Sequence, residues 1–296
     1  MVDKEKRKGE IMISLKILIG AFAPILIFLS YTGLSPLASL AWTNAVAALF
    51  FLVLIIWHKS WKEFRNKLLW RYMVPIVSFA GVLFYVFYFW GISKTSVGNA
   101  SLIGSLEILT SFLFFHFLIK EHFSKGHKLG MIFMFCGAAI VLFNDLSAPN
   151  LGDFLVLTAM IISPAGDYFQ QEAKKIFSTE TILFLRSFFT SLIVFGLAYF
   201  IDDNFSLALD GSSLVYMLVN GVLLFGLSRV FWIEAIHRMS VTKANALSAI
   251  TPLFALFLAW PILKQVPTFW QLLAIVPLLI GTLLLTDNWK FNKTAV

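Results

Sequence analysis

The sequence contains very little charge and almost no cysteine. Only 13% of its 296 residues are Asp, Glu, Lys or Arg, whereas 59% are hydrophobic and the mean hydropathy is +0.85. A water-soluble protein of this length needs a more polar surface, so that class is excluded. The single cysteine, Cys136, excludes an internal disulfide and offers no metal cluster.

Motifs of intramembrane or ATP-driven enzymes are also missing. The chain has no Gly-x-Ser-x-Gly, no His-Glu-x-x-His and no Walker loop. We therefore expect neither an enzyme nor a bound cofactor or metal. The net charge of +7 is scattered near the ends of apolar segments, so it indicates membrane orientation rather than a nucleic-acid partner.

Long apolar runs, by contrast, are abundant. Runs of about 18 or more apolar residues cross a bilayer, and only helices or closed barrels satisfy the backbone in lipid. The pattern predicts an all-α integral membrane protein with ten transmembrane helices. The predicted segments are 15–33, 36–57, 72–92, 96–118, 127–144, 152–173, 181–201, 214–236, 241–263 and 269–287.

The distribution of basic residues predicts the orientation in a plasma or inner membrane. If the N-terminus is cytoplasmic, Lys and Arg concentrate on the inside, and the predicted outside loops contain only Lys94 and Lys264. The positive-inside rule therefore places both termini in the cytoplasm. This assignment counts Lys16 among the inside charges.

One stretch of the chain occurs twice. Residues 91–144 align without a gap on 235–288, with the identities Ser96/Ser240, Lys120/Lys264, Gly137/Gly281 and Asn144/Asn288 among others. Five helices per half would make the two copies cross the membrane in opposite directions. We expect a tail at 1–14, inverted repeats at 15–146 and 150–288, and a tail at 289–296. Such repeats are typical of alternating access, and they supply a complete pathway without requiring an oligomer.

The two copies resemble the drug/metabolite transporter superfamily, EamA type. They read TSVGNASLIGSLEILTSFLFFHFLIKEHFSKGHKLGMIFMFCG and SVTKANALSAITPLFALFLAWPILKQVPTFWQLLAIVPLLIG. Glu121, the pair Gly152-Asp153, Pro252 and Arg186 match the family pattern. The equivalent positions Gln265, Ile108 and Asn44 depart from it. The resemblance implies transport of small metabolites, amino acids among them.

Two charged residues near the membrane centre are the main substrate-binding candidates. Glu107 interrupts an apolar run, where a carboxyl should face protein or a water-filled cavity. It would hold a substrate amine or cation, carry a proton, or serve as a structural carboxyl. Arg229 would recognise a carboxylate. Together they would bind a zwitterion such as an amino acid, and the alternative is a direct Glu107–Arg229 ion pair.

Asp167 and Arg186 form a second candidate pair. Asp167 follows Ser163-Pro164-Ala165-Gly166, which predicts an interruption of the sixth helix and free carbonyls near Met160. The discontinuous helix would line a substrate site, whereas an ordinary kink would not. Arg186 is expected at similar depth, so we predict an Asp167–Arg186 ion pair with a gating or structural role.

Aromatic and amide side chains complete the predicted substrate site. Tyr88 and Trp232 occupy equivalent repeat positions and could hold a cation over a ring. Asn44, near the centre of the second helix, adds a polar candidate. Packing against other helices is the alternative role for all three.

Secondary transport, with export of an amino acid or related zwitterion, is the function predicted first. The alternative within transport is a proton-coupled exporter of organic cations or drugs. The alternative of a different class is a non-transporting scaffold or receptor subunit. The expected partners are a small-molecule substrate, protons under the coupled alternative, and the lipid bilayer.

Overall fold

The computed structural model describes residues 2–119, 124–143, 150–202, 211–239 and 241–285. The side chains at 2–4, 6, 119, 242, 245, 246 and 249 lie outside this description. So do the predicted tail 289–296 and the sequence-matched residues Lys120, Glu121, Asn144, Ser240 and Asn288. The described residues form helices and turns, with no β-strand among them.

The helices follow one another with short connections. In the first part of the chain they are α1 (Val2–Gly20), α2 (Ala23–Leu29), α3 (Pro36–His58), α4 (Lys67–Pro75), α5 (Phe84–Lys94), α6 (Val97–Gly104), α7 (Glu107–Ile119) and α8 (Lys125–Leu142). In the second they are α9 (Leu151–Lys174), α10 (Thr179–Ile201), α11 (Gly211–Val219), α12 (Ser228–Arg238), α13 (Val241–Leu247), α14 (Thr251–Leu263) and α15 (Phe269–Leu285). Two π-helical segments (Ile76–Leu83 and Asn220–Leu227) and two 3₁₀ segments (Ser60–Arg65 and Ser248–Ile250) complete the helical set.

Seven helical stretches in the described part, two of them with a short break, are long and apolar enough to cross a membrane. They are Arg7–Leu29, Pro36–His58, Lys67–Lys94, Val97–Leu118, Lys125–Leu142, Thr179–Ile201 and Gly211–Arg238. α14 and α15 are shorter apolar helices, and α9 is long but contains acidic residues. The expected class, a multi-pass helical membrane protein, is confirmed. Since α1 begins at Val2, most of the predicted tail 1–14 is helical.

The repeat is visible in where each helical segment begins and ends. α4 and α11, the two π-helical segments, and α5 and α12 start and stop at equivalent positions of the two copies. α7 and α14 do so as well, each after a break in its transmembrane stretch. The first π-helical segment follows Pro75, which has no backbone N–H, but the second follows Val219. The irregular backbone therefore belongs to the repeat rather than to one proline.

Proline and local turns explain the other breaks. α1 ends at Gly20, and α2 restarts with Pro24 in its first turn, where the missing N–H has no helical partner to lose. Ser105 and Leu106 separate α6 from α7, so Glu107 lies in the first turn of a new helix. Pro252 opens α14 in the same way.

Helices of one half pack mainly on helices of the other. α3 packs on α10 and α8 on α15, so these equivalent helices meet each other, whereas α6 packs on α14 and its equivalent α13 packs on α7. α5 packs on α9, and its equivalent α12 packs on α1. This exchange of partners is what a pseudo-two-fold axis between the copies produces.

Glycine allows α8 and α15 to approach each other closely. A Cβ at Gly281 would lie 2.8 Å from the Met134 nitrogen and 2.9 Å from the Gly130 carbonyl oxygen. A Cβ at Gly130 would lie 3.0 Å from the Gly281 oxygen. α8 and α15 therefore touch backbone to backbone, as small residues permit in membrane helices.

A methyl group at this contact should separate the two helices. We expect Gly281→Ala to lower the free energy of unfolding by about 1–3 kcal/mol, because two of the three nearest atoms are backbone and cannot rotate away. Thermal unfolding in detergent measures the loss. Gly196→Ala is the matched control, since no atom lies within 4 Å of a Cβ there. Equal melting temperatures for the two variants would contradict the packing argument.

Candidate functional site

A cavity of about 160 Å³ lies where the helix breaks of both copies meet. It is lined by parts of α1, α2, α5, α6, α7, α9, α12 and α14, by the π-helical segment Asn220–Leu227 and by neighbouring turns. Its apolar wall includes Pro24, Ile27, Phe84, Met160 and Phe225. The polar side chains on the wall are Lys16, Tyr85, Tyr88, Ser101, Ser105, Glu107, Ser228, Arg229, Trp232, Ser248 and Thr251. A mostly apolar cavity with a few convergent polar groups is the usual form of a small-molecule site.

Glu107 lines this cavity from the first turn of α7. The free N–H groups at a helix N-terminus favour a carboxylate there. The Ser163 hydroxyl of α9 donates a hydrogen bond to Glu107 Oε1. Glu107 is therefore held by a neighbouring helix while its side chain remains on the cavity wall.

Arg229 lines the cavity from α12 and stacks on an aromatic ring. Its Cζ lies 5.2 Å from the centre of the Tyr85 ring. In the described part of the chain it forms no ion pair with Glu107. The alternative of a direct Glu107–Arg229 pair is thus not what the structure contains.

Lys16 is a cavity residue that the sequence analysis misassigned. Its ammonium lies 5.0 Å from the centre of the Trp232 ring, on the cavity wall. A cation over the face of an indole is attracted by the ring quadrupole. Counting Lys16 among the inside flanking charges was wrong, because α1 begins at Val2 and carries Lys16 deep into the bundle. Its position inside an apolar run was the signal that could have revealed this.

Asp167 lies behind Trp232 rather than on the cavity wall. It is 4% exposed and accepts a hydrogen bond from Trp232 Nε1 at 2.8 Å. Gln170 Nε2 donates to the same Asp167 oxygen at 3.3 Å, and Arg186 Nη1 donates to Gln170 Oε1 at 3.0 Å. The predicted direct Asp167–Arg186 ion pair is therefore wrong: Gln170 bridges the two residues.

The predicted interruption of the sixth helix is also wrong. α9 runs without a break through Pro164. The proline does free the Met160 carbonyl, as expected, because it has no N–H to donate one turn back. Thr110 Oγ1 donates to that carbonyl at 2.7 Å, so α7 satisfies the group that α9 leaves open. The discontinuous helices at the cavity are instead those that contain Pro24, Glu107 and Pro252.

The remaining predicted site residues divide into two groups. Tyr88 and Trp232 line the cavity. Asn44 does not, because it is fully buried on α3, which contributes nothing to the wall. Its Nδ2 donates to the Leu40 carbonyl of its own helix at 2.9 Å. The structure therefore gives Asn44 a packing position.

Polar contacts connect the helices at the end of the bundle that holds the N-terminus of α1. Lys243 Nζ lies 3.2 Å from Glu10 Oε1. Glu234 pairs with Lys174 at 2.8 Å and with Arg238, whose Nε lies 3.0 Å from Glu5. These pairs join α1, α9, α12 and α13.

At the opposite end, equivalent positions of the other copy are hydrogen-bonded to one another. Asn99 Nδ2 donates to Asp153 Oδ2 at 3.0 Å, and Gln271 Nε2 donates to Asn99 Oδ1 at 2.8 Å. Asn99 corresponds to Lys243 in the repeat, and Asp153 follows Gly152 as Glu10 follows Gly9. The repeat thus places a polar contact between helices on each side of the cavity.

These features define an integral membrane protein with a central cavity between two structural repeats, which is an architecture of small-molecule transporters. The model of the EamA-like transporter family matches residues 7–143 and again 150–287. The chain therefore belongs to this family, within the drug/metabolite transporter superfamily. Its members are generally transporters rather than enzymes.

Two individual relatives of the chain are also named as transporters. The chain is 25% identical over 259 residues to an uncharacterized transporter of Synechocystis sp., covering 82% of this chain and 74% of that protein. It is 23% identical over 265 residues to the uncharacterized transporter YyaM of Bacillus subtilis, covering 84% of each. A crystal structure that is 17% identical covers 97% of this chain with a TM-score of 0.73, which shows a shared fold.

The hydrogen bond from Trp232 to buried Asp167 should contribute measurably to stability. We expect Trp232→Phe to lower the free energy of unfolding by about 1–3 kcal/mol, because it removes the shorter of the two hydrogen bonds that a buried carboxylate oxygen accepts. Trp42→Phe is the matched control, since the buried Trp42 Nε1 has no hydrogen-bond partner. Thermal unfolding of both variants in the same detergent measures the difference, and equal losses would exclude a role for the indole N–H.

Proposed function

We propose that the protein is a secondary transporter for a small metabolite that carries both an ammonium and a carboxylate group, such as an amino acid. The observation that carries the proposal is the pair Glu107 and Arg229. Both line one cavity, yet they do not pair with each other. Glu107 would accept the ammonium and Arg229 would donate to the carboxylate.

The proposed architecture is ten transmembrane helices in two inverted five-helix repeats, within the plasma or inner membrane. The equivalent helix boundaries of the two copies support this arrangement, as does the exchange of partners between α5–α9 and α12–α1. The positive-inside rule supports cytoplasmic termini. Export is the proposed direction.

Alternating access is the proposed mechanism. The contact Glu10–Lys243 lies at one end of the cavity, and its repeat equivalent Asp153–Asn99 lies at the other. If the two halves exchange conformations, one contact opens while the other remains closed. The substrate would then meet only one side of the membrane at a time.

The cavity charges favour a zwitterion over the alternative of an organic cation. Lys16 and Arg229 both lie on the wall, whereas Glu107 is the only acidic side chain there among the described residues. A purely cationic substrate could pair with Glu107, but it would bring no anionic group to offset its repulsion from Lys16 and Arg229. A cavity lined by charged and polar side chains likewise favours transport over a scaffold role.

The roles of Glu107 and Arg229 are tested by flux into proteoliposomes. We expect Glu107→Gln and Arg229→Gln each to lower amino-acid flux about tenfold or more, since each removes a charged hydrogen-bond partner worth about 1.5–3 kcal/mol. Arg71→Gln is the control, because it removes an exposed arginine far from the cavity. Measuring with and without a pH gradient separates a facilitator from a proton-coupled carrier. Full flux in both cavity variants would contradict the proposal.

Alternating access is tested by locking either end. In a Cys136→Ser background, Glu10→Cys with Lys243→Cys should abolish flux after treatment with a reducible thiol cross-linker. Asn99→Cys with Asp153→Cys should do the same. Reductant should restore flux in each case, and the four single-cysteine variants are the controls. Persistent flux in either cross-linked protein would show that the locked contact does not need to open.

A further inference from the structure

Lys16 is a third charged group on the cavity wall, and the zwitterion arrangement does not use it. It lies on α1, one turn before the helix ends at Gly20. Its side chain shares the cavity with Glu107 and Arg229. A substrate with one ammonium and one carboxylate would bind Glu107 and Arg229, and it would provide no anionic partner for Lys16.

The contacts of Lys16 do not balance its charge. The Trp232 ring, 5.0 Å away, is the partner that the structure gives it. Across the described residues no carboxylate oxygen lies within ion-pair distance of its Nζ. An aromatic ring orients a cation but does not neutralise it.

The excess of positive charge persists whether one counts the cavity wall alone or includes the side chains behind it. On the cavity wall, two cations, Lys16 and Arg229, face one anion, Glu107. The layer behind adds Arg186 and Asp167, one charge of each sign. In their ordinary ionisation states the described groups therefore carry one excess positive charge. An uncompensated charge within a membrane protein is costly, so it is expected to meet a counter-charge.

We propose that the substrate supplies this counter-charge, and that the cavity therefore selects an acidic amino acid or a compound of the same charge pattern. The inference rests on the proposed function and deepens it. Glu107 holds the ammonium, Arg229 holds one carboxylate, and Lys16 holds the second anionic group. Lys16 is thus the residue that determines specificity for a substrate of net charge −1.

Glutamate and glutamine, like aspartate and asparagine, form matched probe pairs for this charge. Members of each pair share shape and size but differ by one negative charge. We expect the wild-type protein in proteoliposomes to transport each acid with a kcat/KM about tenfold or more above that of its amide, a difference of about 1.4 kcal/mol or more. An inside-positive membrane potential should accelerate uptake of the acids and leave the amides unchanged.

Variants then assign the preference to Lys16. Lys16→Gln should lower flux of the acids about tenfold and bring them level with the amides, while Lys16→Arg should retain the preference. Lys62→Gln, which removes an exposed lysine at the end of the bundle, should behave as wild type. A preference that survives Lys16→Gln would overturn the assignment to Lys16.

Failure of the inference is distinguishable from failure of the proposed function. Flux of amides equal to or above that of the acids in wild type would overturn the inference and leave the transport of zwitterions standing. Absence of flux for every amino acid would overturn both. The wild-type comparison requires no substitution, so a variant that fails to fold does not remove the test.

Discussion

The structure depends on one constraint: charges placed inside a membrane protein must find counter-charges or hydrogen bonds. Three charged side chains in the described part of the bundle are each hydrogen-bonded to a neighbour on another helix. Asp167 accepts from Trp232, Glu107 accepts from Ser163, and Arg186 donates to Gln170. The helices that provide these neighbours must therefore pack in one register. On the cavity wall itself, the two cations Lys16 and Arg229 outnumber the one carboxylate, Glu107, among the described residues.

The repeat explains why that cavity is central and why a polar contact lies at each of its ends. Equivalent segments carry the same irregularities, so the two copies place their breaks at matching depths. The two contacts differ in chemistry, however. Glu10–Lys243 is an ion pair, whereas Asp153–Asn99 is a hydrogen bond between a carboxylate and an amide. An ion pair responds more strongly to salt than a hydrogen bond to a neutral amide does. The two ends of a symmetric fold are thereby made energetically unequal.

The class, the repeat and part of the site could be predicted from sequence, because they depend on composition and spacing. Glu107 and Arg229 stand out as ionisable residues within apolar runs, and both lie on the cavity wall. Lys16 was missed because a lysine near a basic N-terminus resembles a flanking charge until the start of α1 is known. Gln170 was missed because a bridging amide depends on which side chains of α9 and α10 meet. Neither fact is encoded by periodicity alone.

Helix breaks, rather than the charged residues alone, determine where the cavity forms. A break frees backbone groups that lipid cannot satisfy, so each break must lie against protein or a polar cavity. The break before Glu107, the restart at Pro24 and the restart at Pro252 all meet at the cavity. Pro164 follows the same rule in a continuous helix, since Thr110 takes up the carbonyl that the proline frees. The polar character of a cavity where three breaks meet therefore follows in part from the need to satisfy the freed backbone groups, independently of any substrate.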